Sequence, residues 1–176
     1  SKSELTILSI SGYQSLIYLE SIFKNTKNLG LVNKECVVSG GHLFYKLINQ
    51  YKVNIFPLDS EHFSLKFFFD NNNSDYDYKT VYLTASGGPF LYYKINKLKK
   101  ATFKDAIKHP KWKMGFKNSI DSATLVNKCL ELIEAHYLFK LPFDKMKIVI
   151  HPQSMVHSII DIKNHTSQIN YFYHDM

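Results

Sequence analysis

The chain has 176 residues, 45% of them hydrophobic and 15% aromatic, which is enough to bury a core and too apolar for a disordered segment. No apolar run reaches the roughly eighteen residues of a membrane span, and Ser1-Lys2-Ser3-Glu4 does not open a signal peptide. The net charge of +7 comes from lysine alone; without arginine's bidentate fork a nucleic-acid reader is disfavoured, and a field that gathers phosphorylated small molecules fits better.

The first half alternates helical and β-prone runs. Tyr13 to Lys27 puts Leu16, Leu19, Ile22 and Phe23 on one face of a helix, and Leu29 to Val32 follows as a strand. A helix is expected over Glu35 to Asn49, then a strand over Val53 to Phe56 stopped by Pro57. Glu61 to Phe69 returns to helix, Asp70 to Asp75 is a polar surface loop, and Thr80 to Thr84 is a strand running into Ser86-Gly87-Gly88. Strands alternating with helices argue for a largely parallel α/β sheet. The second half changes: one long helix over Asn118 to Phe139, then strands at Lys147 to His151, Ser158 to Ile162 and Ser167 to Phe172. The Lys163-Asn164-His165 turn makes the last two a hairpin. Cys36 and Cys129, far apart in helical segments and without metal spacing, read as reduced core thiols.

Several places could carry chemistry. Asp59 and Glu61 lie where a strand gives way to a helix, the edge of α/β sheets where ligands collect, and paired hard oxygens suit Mg²⁺ or Mn²⁺. Helix capping by Asp59 or Ser60 explains the same residues. On the long helix, Asn127, Glu131 and Glu134 fall within roughly 60° of one another, with Lys128 at the margin and apolar residues around most of the remainder. A narrow polar stripe on such a helix lines a cavity or meets buried partners, although an ordinary Asn127–Glu131 pair is also possible. Ser86-Gly87-Gly88 after its strand, and Asp121-Ser122-Ala123-Thr124 near the helix start, are two places for an anion or two simple turns. Trp112, the sole tryptophan, sits in the basic loop His109 to Gly115, where it either closes over a ligand or pins a surface loop. His151 and His157 flank a strand end, where hydrogen-bonded core histidines are the default.

Taken in order from about residue 28, these segments resemble the 1-deoxy-D-xylulose 5-phosphate reductoisomerases. The matching stretches are Asn33-Lys34-Glu35, Asp59-Ser60-Glu61-His62, Leu83 to Phe90, His109 to Gly115, Ile120 to Ala135, and Ile150 to Ser158. The resemblance implies an α/β fold: the end of a Rossmann-like domain (residues 1–32), followed by an α+β catalytic domain with a mixed sheet (33–176), the family's small helical C-terminal domain being absent. It implies a divalent metal on Asp59, Glu61 and Glu131, and a phosphate held by Ser86, Ser122, Asn127 and Lys128. Lys34 and Ser60 would touch substrate, with His109 and Trp112 on a closing loop. Asn33, Glu35, Met114, Gly115 and Met176 would meet NADPH, with Glu134 and His157 in support.

The reaction implied is rearrangement and reduction of 1-deoxy-D-xylulose 5-phosphate to 2-C-methyl-D-erythritol 4-phosphate, in non-mevalonate isoprenoid synthesis. A homodimer is implied, in a plastid-type organelle if the source is eukaryotic and in the cytoplasm otherwise, with no nucleic-acid or membrane partner. The 176 residues alone are expected to be inactive, because no glycine-rich dinucleotide loop is among them. The family's closing Pro-Asp-Met reads His174-Asp175-Met176 here, Cys129 replaces a common glycine, and Asn71-Asn72-Asn73 looks inserted. The competing readings are a silent structural or dimer-forming segment and, more distantly, a lysine-rich RNA-binding module.

Overall fold

A computed structural model describes residues 2–71, 77–108 and 115–171. Strand β1 (Ser3–Leu8) leads through a 3-10 turn (Tyr13–Tyr18) into α1 (Leu19–Asn25), β2 (Thr26–Leu31), α2 (Lys34–Tyr51) and β3 (Asn54–Pro57). After α3 (Ser60–Asn71) come β4 (Tyr78–Ala85), the short helices α4 (Ile95–Leu98) and α5 (Phe103–Ala106), then α6 (Phe116–Ala123) and α7 (Val126–Phe139). A 3-10 turn (Phe143–Lys145) leads to β5 (Met146–Ile150), β6 (Val156–Ile162) and β7 (Ser167–Tyr171).

The strands form two sheets. β1-β2-β3 is wholly parallel, each strand joined to the next by a helical crossover. It runs to Pro57, past residue 32. The second sheet, ordered β5-β4-β6-β7, is mixed: β5 lies parallel to β4, whereas β6 and β7 run antiparallel. The hairpin joining β6 to β7 is the expected one, and His165 takes the positive φ of 67° that its turn demands.

Two helical readings and one cysteine need correction. Tyr13 to Lys27 is not one helix: a 3-10 turn comes first, and the α-helix stops at Asn25 because Thr26 and Lys27 open β2, with Thr26 opposite Ser3. Asn118 to Phe139 is two helices. Leu125 adopts a left-handed φ of 61° between them, so α7 leaves α6 in a new direction. Cys129 is exposed rather than a core thiol, because it lies on the outer side of α7; Cys36 is buried as expected, and burial pushes its thiol up to about 12. β1 went unrecognised, since most of its residues are exposed and only Leu8 enters the core.

α7 joins the two halves. Tyr137 and Leu138 pack on the core formed by Leu29, Val37, Phe44 and their neighbours under the parallel sheet, while Ala135 and Leu132 join Leu65, Phe68, Leu83 and Ile160 under the mixed one. Its approach to α2 depends on Gly41, where a Cβ would come within 2.2 Å of the Tyr137 ring. This packing carries the start of α2, the start of α3 and the polar face of α7 to one place.

Candidate functional site

Asn33 caps α2 by accepting the Cys36 N–H at 2.9 Å, which fixes where Lys34 and Glu35 emerge. Its amide donates to the carbonyls of Ile10 and Gly12 and to Ser15, so the buried Asn33 side chain organises the segment before the helix. At the end of β3, Asp59 accepts the His62 N–H at 2.9 Å and so caps α3. Capping and a ligand role are therefore not alternatives here: one oxygen caps while the carboxylate stands at the sheet edge.

The polar stripe of α7 meets both helix starts. Lys34 Nζ donates to Glu131 Oε1 and to Asn127 Oδ1, each at 3.0 Å. Lys128 Nζ lies 2.8 Å from Glu61 Oε1 and 2.5 Å from Glu131 Oε2. Asn127 donates to Glu131 at 2.5 Å, and Ser60 to Glu61 at 2.7 Å. Glu131, Glu134, Lys128 and His62 are buried, so these charges interact through little solvent.

Four carboxylates (Asp59, Glu61, Glu131, Glu134) face three cationic side chains (Lys34, Lys128, His62). Burial opposes the charge on Lys128, but Glu131 and Glu61 outweigh it and hold the ammonium's pKa up to about 12. Lys34 is raised in the same way by Glu131 and Asp59 against its own burial. Burial would raise Asp59 and Glu61, yet His62 and Lys128 respectively keep them below the usual carboxylate range. Burial pushes Glu134 up to about 8, against the pull of His62. The fourth carboxylate is thus balanced by its own proton, a place that the charge of a divalent cation would take over. Among the described residues, Asp59, His62 and Glu134 are the group whose ligating atoms all come within 4.8 Å of one another. Glu61 pairs with Lys128, and Glu131 with both Lys34 and Lys128.

The two candidate anion places adjoin. Gly87 and Gly88 have φ of +85° and +66°, and a Cβ on Gly88 would sit 2.8 Å from the Ser122 carbonyl oxygen. Only glycine both adopts that backbone and lets the Ser86 loop touch the end of α6. Gly88→Ala is therefore expected to cost about 2 kcal/mol or more through the left-handed backbone and the clash, lowering the melting temperature by roughly 4–8 °C. A thermal scan of parent and variant checks this, and an unchanged midpoint would show that the loop and helix do not depend on each other.

Glu35 pairs with Lys117 at 2.7 Å, and Lys117 also reaches Asp121 at 2.6 Å, so the start of α2 is tied to α6 just after Gly115. Neither Lys117 nor His62 carries a full local signature of its role, since a partner of each lies in a distant segment. His62 Nδ1 lies 2.6 Å from Asp59 and its Nε2 lies 2.9 Å from the Glu131 carbonyl. A histidine one turn into a helix beside paired acids was the available signal. His157 is buried beneath the β4–β6 pair, where Thr84 donates to the neighbouring Val156 carbonyl at 2.5 Å. His109, Trp112, Met114 and Met176 lie outside the described residues, as does most of the Asn71-Asn72-Asn73 stretch.

Known proteins resemble this chain in sequence and in fold. Residues 55–139 match the family model of the 1-deoxy-D-xylulose 5-phosphate reductoisomerase C-terminal domain. The 1-deoxy-D-xylulose 5-phosphate reductoisomerase of Clostridium novyi (strain NT) is 47% identical over 158 residues, which are 90% of this chain and 41% of the relative. That of Pelagibacter ubique (strain HTCC1062) is 40% identical over 168 residues, 96% of this chain and 43% of the relative. The chain thus spans about two-fifths of the length of the curated relatives it matches. A solved structure of the Zymomonas mobilis reductoisomerase in complex with NADPH superposes with a TM-score of 0.85 at 35% identity, covering 97% of this chain and 44% of the other. A DOX-P reductoisomerase in complex with NADPH, fosmidomycin and magnesium gives 0.90 at 35% identity, covering 98% and 44%.

Proposed function

Sequence and fold relate this chain to the 1-deoxy-D-xylulose 5-phosphate reductoisomerases, and from that relationship we propose that it forms the substrate and metal site of such an enzyme. The activity is rearrangement of 1-deoxy-D-xylulose 5-phosphate and its reduction by NADPH to 2-C-methyl-D-erythritol 4-phosphate, a step of non-mevalonate isoprenoid synthesis. The observation that carries the reading is the meeting of Lys34, Glu61, Asn127, Lys128 and Glu131, from three helices, in one buried polar cluster. Nothing in the core packing requires so many charges together, and burying them is costly unless they serve a ligand.

The donor set fits Mg²⁺ or Mn²⁺: Asp59, Glu61 and Glu131 offer hard anionic oxygens close together. When bound, such an ion polarises the substrate's carbonyl and hydroxyl oxygens as a Lewis acid. The chain's own residues do the remainder. Lys34 and Ser60 orient the substrate backbone. Lys128, Ser86, Ser122 and Asn127 hold the phosphate, with Lys128 giving up part of its contact to Glu61 or Glu131 to do so. Skeletal rearrangement precedes reduction, and the site must exclude water between the two, a task that the resemblance gives to His109 and Trp112. Glu35 and Gly115, tied through Lys117, adjoin the nicotinamide side, while Asn33 shapes the segment before α2 that the cofactor meets. Met114 and Met176 join them on the resemblance alone.

The division into residues 1–32, the end of an NADPH-binding domain, and 33–176, the catalytic part, is a division of role that cuts through one parallel sheet. A homodimer, residence in a plastid-type organelle for a eukaryotic source, and inactivity of the 176 residues alone belong to the same proposal. Among the described residues no helix is long and apolar enough to cross a membrane.

The test is NADPH oxidation by the complete polypeptide, followed optically with 1-deoxy-D-xylulose 5-phosphate and Mn²⁺. Consumption is expected to require all three components. A folded protein that binds Mn²⁺ and the phosphosugar without oxidising NADPH would favour the silent structural segment instead.

A further inference from the structure

Asp59 has two carboxylate oxygens, and one is already committed. Its Oδ1 accepts the His62 backbone N–H at 2.9 Å and faces His62 Nδ1 at 2.6 Å. The other ring nitrogen, Nε2, lies 2.9 Å from the carbonyl oxygen of Glu131. A carbonyl can only accept, so Nε2 carries a proton and donates. Nδ1 faces carboxylate oxygens of Asp59 and, at 3.6 Å, of Glu134, so it is a donor as well. The ring is fully buried and lies parallel to Phe139, with centroids 6.3 Å apart and planes 9° from each other. It has no room to swing.

His62 therefore spans the gap between the first turn of α3 and the backbone of α7. We propose that His62 is a positioning residue: it fastens Asp59 through Oδ1, so that Asp59 presents Oδ2 alone to a divalent cation, in register with Glu131 on the facing helix. Glu134 is buried beside the same ring, its Oε2 3.6 Å from Nδ1. The inference rests on the reading of Asp59 and Glu131 as metal-holding residues. It adds what sets their spacing and how many oxygens Asp59 contributes. Groups that orient a ligating carboxylate commonly govern metal affinity almost as strongly as the ligand itself.

Two substitutions separate positioning from general support of the fold. The amide of asparagine reaches where Nδ1 sits, and that of glutamine reaches where Nε2 sits. His62→Asn thus keeps the hold on Asp59 and loses the Glu131 carbonyl, whereas His62→Gln does the reverse. Mn²⁺ binding to the complete polypeptide is measured by titration calorimetry without substrate, beside the melting temperature of each variant. His62→Gln is expected to raise the Mn²⁺ dissociation constant about 10–100-fold, while His62→Asn stays near the parent value even though both lose stability. Equal losses in the two, or losses that follow the melting temperature, would overturn the proposal. Asp59→Asn is the control. If it leaves Mn²⁺ binding intact, the metal-site reading itself fails; if it abolishes binding while His62→Gln does not weaken it, only the positioning role fails. Should His62→Gln not fold, His62→Ala with and without imidazole gives the same contrast, with recovery of Mn²⁺ affinity expected and its absence decisive against the proposal.

Discussion

Glu131→Gln is expected to remove turnover from the complete enzyme while leaving its fold standing. Glu131 accepts from Lys34 at 3.0 Å, from Asn127 at 2.5 Å and faces Lys128 at 2.5 Å, so it is the hub of the cluster and, on the proposed function, one of three carboxylates on the metal. Glutamine keeps the shape and removes the charge. A ligand contributing several kcal/mol of transition-state stabilisation through a Lewis acid, about 4 kcal/mol, corresponds to a loss on the order of 10³-fold in kcat/KM. Stability should suffer far less. With Glu134 holding its proton, three carboxylates face three cations, and when the substitution removes the charge of Glu131, Glu134 can ionise and restore that balance. Lys128 also keeps Glu61 at 2.8 Å. The measurements are Mn²⁺-dependent turnover and the melting temperature side by side. Survival of both metal dependence and rate would remove Glu131 from the metal site.

The parts of this arrangement that could be read in the sequence are those with a local signature. Asn127, Glu131 and Glu134 share one face of α7 because helical geometry alone puts them there, and the apolar residues around them mark that face as enclosed. Asp59 and Glu61 were legible from a strand ending at Pro57 and a helix starting at Ser60. What could not be read depends on contacts between distant segments. His62 looked like an ordinary residue of a helix, and its meaning comes from Glu131, sixty-nine positions away. Lys34 and Lys128 were assigned to ligands, and only the fold shows that they first neutralise Glu131 and Glu61. Neither glycine nor proline marks the break at Leu125, where a leucine takes a left-handed conformation that local preference would avoid. β1 has the opposite problem, since its outward-facing residues conceal a strand that only pairing with β2 makes necessary.

Lys128→Met should change two affinities in opposite directions, which makes it the sharpest probe of the site. In the structure the ammonium is buried between Glu61 at 2.8 Å and Glu131 at 2.5 Å, and their charges hold its pKa up to about 12 despite burial. On the proposed function it also grips the substrate's phosphate, alongside the neutral donors Ser86, Ser122 and Asn127. With no arginine in the chain, the other donors assigned to the phosphate carry no charge, so Lys128 supplies the main attraction. A charge-assisted hydrogen bond is worth roughly 1.5–3 kcal/mol, so the variant should bind a phosphorylated ligand about 10–100-fold more weakly. Mn²⁺ alone should bind more tightly, because two carboxylates lose the cation that competed for them. Methionine fills the volume of the alkyl stem without charge, so packing is largely kept, although Glu61 loses its lysine and Glu131 is left with Lys34 alone, which costs about 3–5 kcal/mol in the absence of metal. Mn²⁺ should restore much of that loss, and the melting temperature of the variant should therefore rise more with Mn²⁺ than that of the parent. The experiment titrates both proteins with Mn²⁺, with a phosphorylated substrate analogue, and with a chelating ligand that lacks the phosphate. If the last two weaken equally, Lys128 does not hold the phosphate. If Mn²⁺ binding weakens too, the lysine does not compete with the metal for Glu61 and Glu131, and the cluster is an ion-pair network rather than a site.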